Sequence, residues 1–188
     1  FDKPLTYRFD ESDCMLVFKD VKVPWEKVIV CNNAKLSREI FIGTPAHVLS
    51  NHQSTVRIAT KLKFILAVAS LVTQSTGART IPAVREVLGR LAAFEAGYAG
   101  MVAGQIQDNE TLEGGYTLYN RRYMYAALHW SMENHAGIID ILRELMGGGV
   151  FQMPASIAIV RDPALREVFD SYWSTATHSS VERMKLFK

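Results

Sequence analysis

The sequence is short of the features that mark most kinds of chemistry. Its 188 residues include two cysteines, Cys14 and Cys31, too few for the disulfide framework of a small secreted domain. Free thiols in a reducing compartment are the simpler reading, so a cytoplasmic location is expected. Neither charge sign dominates: 21 Lys and Arg stand against 19 Asp and Glu, a net charge of +2. That balance argues against a nucleic-acid partner. Arg121-Arg122 among Tyr116, Tyr119 and Tyr123 is a basic spot on an aromatic background, but no wider basic stripe supports it. Long hydrophobic runs are missing too. The most apolar stretch, Phe64–Val72, is less than half of the ~20 residues that a membrane helix needs. It reads as a buried core helix, and no membrane partner is expected. The chain opens Phe1-Asp2-Lys3-Pro4, without the apolar core of a secretory leader. It lacks an initiating methionine and stops at Phe187-Lys188 within a helical pattern, so both ends read as cuts within a longer protein.

Catalytic signatures are equally scarce. There is no nucleophile elbow, phosphate-binding loop or paired-carboxylate motif. Asp10, Glu11 and Asp13 read as a solvated turn. The histidines His47, His52, His129, His135 and His178 lack the i,i+4 spacing of a helical metal pair, so no metal site is expected. Gly147-Gly148-Gly149 follows a helical pattern, whereas a dinucleotide fingerprint needs a strand before its glycines. Two readings of this triplet stay open. It is a helix stop with permissive φ, or a loop whose bare backbone approaches a ligand.

What is present is a core. Hydrophobic residues make up 48% of the chain, and a compact chain of this size buries roughly 70% of its unfolded surface. Residues 12–30 read as β structure. Cys14–Phe18 is apolar, Val21 and Val23 alternate with Lys22, Pro24 ends that strand and Val28–Val30 is β-like. After Asn33 the period becomes helical. One helix is expected from Ser50 or Asn51 to about Thr76, stopped by Gly77. A second begins at Pro82. It carries Gly89, Gly97, Gly100 and Gly104, and each glycine costs about 1 kcal/mol against alanine. Close approach of a neighbouring helix would repay that cost. Asp108–Gly115 reads as a polar loop, and a long helix follows from about Tyr116 to Met146. Asp162-Pro163 predicts the start of a helix with Leu165, Val168, Phe169 and Tyr172 on its inner face. Ser179 and Glu182 have capping-box spacing for a last helix, with Met184 and Phe187 inward. The expected fold is therefore mainly α: residues 1–33 end a β domain, and 34–188 form a bundle of about four to five helices.

Several stretches together resemble the oxygenase component of the 4-hydroxyphenylacetate 3-monooxygenase family. They are PLTYRFDE at Pro4–Glu11, MLVFKDVKVPWEKVIV at Met15–Val30, NHQSTVRIATKLKFILAVA at Asn51–Ala69, PAVREVLGRLAA, LMGGGVFQMPAS at Leu145–Ser156, RDPALREVFDSYW and SSVERMKLFK. No single stretch is highly specific, but their order is. The resemblance implies an acyl-CoA-dehydrogenase-like C-terminal helical bundle preceded by the last strands of a β domain. It implies FAD used as FADH2, a separate flavin reductase, a homotetramer built through the C-terminal helices and a phenolic substrate hydroxylated ortho to its hydroxyl. The family's phenol-handling residues lie in a part that this sequence does not contain, so no catalytic residue is assigned here. Gly147, Gly148 and Gly149 are the cofactor-binding residues that the resemblance suggests. His52, Gln53 and Arg57 either line the flavin site or are ordinary helix polar residues.

Two related enzyme types fit less well. The catalytic glutamate of acyl-CoA dehydrogenases would fall near Thr175, Ala176 and Thr177, where no glutamate stands. The iron–sulfur ligands of 4-hydroxybutyryl-CoA dehydratase would fall near His52 and Gln53, but Ala59 and Thr60 follow there in place of cysteine. The reading from another class is a helical assembly module that binds no flavin.

Overall fold

The computed structural model describes residues 14–188 together with Leu5 and Arg8. The Asp10, Glu11 and Asp13 cluster and most of the Pro4–Glu11 stretch lie outside the described residues.

Residues 14–30 form no strand, which corrects the expected β runs. A short 3-10 turn at Trp25–Lys27 is the only regular element there, closed by the Lys27 N–H on the Pro24 carbonyl at 2.9 Å. Asp20 and Asn32 sit at positive φ, 52° and 48°, in the left-handed region that turns use. The alternating side chains Leu16, Phe18, Val21 and Val23 are all exposed. A strand is held by hydrogen bonds to a neighbouring strand, and no described residue offers that ladder.

From Asn33 onward the chain is helical. Asn33 caps α1 (Ala34–Ile42) by accepting the Leu36 N–H at 2.9 Å. The next helix, α2 (Ala46–Ser75), is 30 residues long and begins ahead of the expected caps. Ser50 Oγ and Asn51 Nδ2 instead donate back to the His47 carbonyl at 3.2 and 2.8 Å, as polar side chains within helices do. Gly77 ends this segment in the left-handed region, φ 76°. Pro82 takes the first position of α3 (Pro82–Gln107), where its missing N–H costs nothing.

The expected polar loop contains a small hairpin. Its strands β1 (Glu110–Thr111) and β2 (Thr117–Leu118) pair antiparallel, Glu110 opposite Leu118. Pairing of Thr117 and Leu118 delays the long helix, so α4 runs Arg121–Met146, capped by Asn120 on the Tyr123 N–H at 3.1 Å. Four shorter helices follow: α5 (Gly149–Gln152), α6 (Ala158–Arg161), α7 (Pro163–Trp173) and α8 (Ser180–Phe187). Asp162 caps α7 through the Ala164 and Leu165 N–H groups. Ser179 and Glu182 form the expected reciprocal capping box on α8.

The long helices α2, α3 and α4 pack as a three-helix unit around Leu62, Ile65, Leu91, Tyr98, Ala127 and Ile138. A second core joins the end of α2 to α7 and α8 through Val72, Phe169, Trp173, Met184 and Phe187. Phe169 and Trp173 point inward, while Leu165, Val168 and Tyr172 are exposed at 52, 57 and 79%. The expected inner face of α7 is therefore rotated. The i,i+4 pair Phe169/Trp173 takes the core, and the other stripe faces out. The glycines of α3 also depart from expectation. A β-carbon on Gly89, Gly97 or Gly100 would meet nothing within 4 Å, whereas one on Gly104 would touch the Tyr123 ring at 3.3 Å. Close helix approach within the chain explains Gly104 alone.

Candidate functional site

The glycine triplet sits at the junction of α4 and α5, and its three residues have three different surroundings. Gly147 adopts φ 57°, ψ −146°, a backbone state that side chains strongly disfavour. Its N–H closes the helix on the Arg143 and Glu144 carbonyls at 3.0 and 3.1 Å. The helix-stop role is thus carried by Gly147. Gly148 faces outward: a β-carbon there would meet only Gln152 Nε2, at 3.9 Å. Gly149 is pressed against the last helix. A β-carbon there would stand 2.5 Å from Phe187 Cε1, so its bareness serves packing within the chain. The backbone N–H groups of Gly148 and Gly149 make no hydrogen bond among the described residues. Successive unpaired N–H groups on an open turn fit the chemistry of a phosphate or another anion.

His52 and Arg57 both lie on α2, but only His52 turns inward. His52 is 8% exposed and Gln105, on α3, is fully buried. His52 Nδ1 lies 2.8 Å from Gln105 Oε1. The Thr55 hydroxyl donates to the His52 carbonyl at 2.7 Å and lies 3.3 Å from the same Gln105 oxygen. Tyr119 stacks on the imidazole with ring centroids 3.5 Å apart and planes 14° apart. Gln105 Nε2 is buried with no partner. This cluster ties α2, α3 and the hairpin together, and its two hydrogen bonds between α2 and α3 join residues 53 and 50 positions apart in sequence. Nothing in the spacing of residues foretells it. The available signal was a histidine and a glutamine, each on the apolar side of a long helix.

The segment near Thr175 is a closed turn. The Thr175 N–H donates to the His178 carbonyl at 2.8 Å, and the His178 N–H returns to Thr175 Oγ1 at 3.1 Å. The carboxylate that follows, Glu182, is engaged by Ser179. Ser179 bonds hold Glu182 below the usual carboxylate range. Asp170 is likewise lowered, first by the Arg166 guanidinium at 2.6 Å and then by the Ser180 hydroxyl. At the hairpin, Glu110 is lowered by Arg121, whose Nε and backbone N–H both donate to it at 2.9 Å. Among the described residues no group of three His, Cys, Asp or Glu side chains could hold a metal.

A family model described as the C-terminal part of 4-hydroxyphenylacetate 3-hydroxylase matches residues 37–188. The chain belongs to this family. Across its whole length it is 27% identical to the pyoverdin chromophore biosynthetic protein PvcC of Pseudomonas aeruginosa, of which it covers 38%. It is 26% identical over 200 aligned residues to the 4-hydroxyphenylacetate 3-monooxygenase oxygenase component of Thermus thermophilus, of which it covers 39%. A crystal structure of such an oxygenase component complexed with FAD superimposes with a TM-score of 0.89 at 25% identity, over 99% of this chain and 39% of that one. The chain thus spans well under half the length of the relatives it matches. Its architecture is the acyl-CoA-dehydrogenase-like C-terminal helical bundle.

Proposed function

We propose that this chain is the C-terminal helical part of a flavin-dependent oxygenase that places a hydroxyl group ortho to an existing phenol hydroxyl. The observation that carries this reading is the superposition of the whole bundle on an FAD-complexed oxygenase component. FADH2, delivered by a separate reductase, supplies the oxygen-activating chemistry when bound. A base near the phenol assists, because a phenolate is the better nucleophile toward electrophilic oxygen. The residues of this chain form one wall of the flavin site and keep water out of it. Gly147, Gly148 and Gly149 carry the cofactor contact: Gly147 sets the turn, Gly149 locks it to α8, and Gly148 presents the open backbone.

Residues 1–33 end a β domain in this reading. The exposed alternation of Leu16, Phe18, Val21 and Val23 suits a strand that pairs with others of that domain. A homotetramer is supported by two unpartnered features: the exposed stripe Leu165, Val168 and Tyr172 on α7, and the open glycine positions of α3. The free thiols Cys14 and Cys31 suit a cytoplasmic location. Among the described residues no helix is long and apolar enough to cross a membrane.

The cofactor contact is tested by anaerobic titration of the full-length protein with reduced FAD. Gly148→Val has room for its side chain, so the fold should survive. The expected outcome is binding of reduced FAD that weakens at least about tenfold in this variant, roughly the loss of one charge-assisted contact. Unchanged affinity would remove the glycine turn from the flavin site.

A further inference from the structure

We propose a second binding site, for a small organic carboxylate, where the first turns of α2 and α4 meet the hairpin. A cavity of about 340 Å³ opens there, within the size range of small-ligand pockets. Its floor is apolar. Val48 and Leu118 are 4 and 5% exposed, and Leu112 adds to the same wall. Its polar side chains are Thr44, His47, Tyr125 and Arg121. The Thr44 hydroxyl is taken up by its own backbone neighbours, and the other three are each held by a neighbour. Tyr125 Oη lies 3.1 Å from His47 Nδ1, and Phe41 packs edge-on against the imidazole with centroids 5.0 Å apart. Glu110 engages Arg121 at Nε, Nη2 and the backbone N–H.

That arrangement leaves specific atoms available. Arg121 Nη1 and His47 Nε2 make no hydrogen bond among the described residues. A guanidinium pinned along one edge offers its remaining N–H groups in a fixed direction, which favours a planar oxyanion. An apolar floor beneath polar groups selects a ligand that is greasy at one end and an acceptor at the other. An aromatic or short aliphatic carboxylate has that shape, with its body on Val48, Leu112 and Leu118. Glu110, which holds Arg121, brings a negative charge beside the pocket and opposes the same ligand. This opposition makes the proposal testable by sign. The site does not depend on the flavin reading, because none of its residues belongs to the glycine turn.

The test titrates the full-length protein with benzoate and, in parallel, with the uncharged benzyl alcohol, following the His47 and Tyr125 ring signals by NMR. Benzoate should move both signals, and benzyl alcohol should bind at least about tenfold more weakly. Arg121→Gln should weaken benzoate binding about tenfold, while Glu110→Gln should tighten it, since that change removes the opposing charge. A merely structural role for the Arg121–Glu110 pair predicts that both variants lose binding. The proposal is overturned if the alcohol binds as well as the acid, if Arg121→Gln binds benzoate unchanged, if Glu110→Gln fails to tighten it, or if benzoate moves neither ring signal.

Discussion

Gly149 and Phe187 meet backbone against ring: a β-carbon on the glycine would lie 2.5 Å from Cε1. The end of α4 and the last helix are therefore locked by the absence of a side chain. Gly149→Ala should lower stability by about 1–3 kcal/mol, the usual cost of overpacking. Thermal unfolding would show this as a lower Tm, largely restored by adding Phe187→Leu. Gly148→Ala, placed on the open side, should stay within about 0.5 kcal/mol of the parent. Equal losses at the two glycines would refute this division of roles.

The buried Gln105 amide joins α3 to two residues of α2, His52 and Thr55, and its loss should be felt in stability. Gln105→Leu keeps the volume but leaves His52 Nδ1 without its 2.8 Å partner. An unsatisfied buried group costs about 1–3 kcal/mol. Urea unfolding should move to lower midpoint with the slope unchanged, and the Tyr119 ring signals should shift as the stack on His52 loosens. A variant as stable as the parent would mean that the cluster does not hold α2 to α3.

Acid should loosen the C-terminal end of the bundle. Asp170 is held low by Arg166 and then by Ser180, and Glu182 by Ser179. Folded values below the unfolded ones mean that the ionised form is the one bound. Their contribution is therefore present above the ordinary carboxylate range and is lost as pH falls through the depressed values. Asp170→Asn should flatten the acid limb of a Tm-against-pH curve without changing its shape near neutrality. An unchanged acid limb would remove Asp170 from the account.

Asp162 tests the start of α7 in isolation. Its carboxylate accepts from the Ala164 and Leu165 N–H groups at 3.0 and 3.2 Å. Asp162→Ala should cost about 1 kcal/mol, and Asp162→Asn much less, since both Asp and Asn cap well. Chemical denaturation of the two variants separates a cap from a charge effect.

Local chemistry made much of this fold legible. Pro82, Asp162-Pro163, Ser179/Glu182 and Gly77 act through neighbours a few positions away, so their roles followed from sequence spacing. What failed to show was set by distant partners. Residues 14–30 have a strand pattern, yet a strand needs a ladder that no described residue supplies. On α7 the expected face holds for Phe169 alone, because Leu165 and Val168 are just as apolar and only the position of Val72 and Phe187 decides which side is buried. The glycine triplet was legible as a stop and as an open turn, but the contact of Gly149 with Phe187 was not. The His52–Gln105 pair was invisible for the same reason: polar residues on apolar helix faces do not announce their partners.

The most direct test of the functional reading is isotopic. The full-length protein, supplied with FADH2 by a flavin reductase, is given 4-hydroxyphenylacetate under 18O2, and the product is weighed by mass spectrometry. The account predicts a catechol carrying one 18O atom ortho to the original hydroxyl. Consumption of FADH2 with no labelled product from this or other simple phenols would contradict it and leave the bundle as an assembly module.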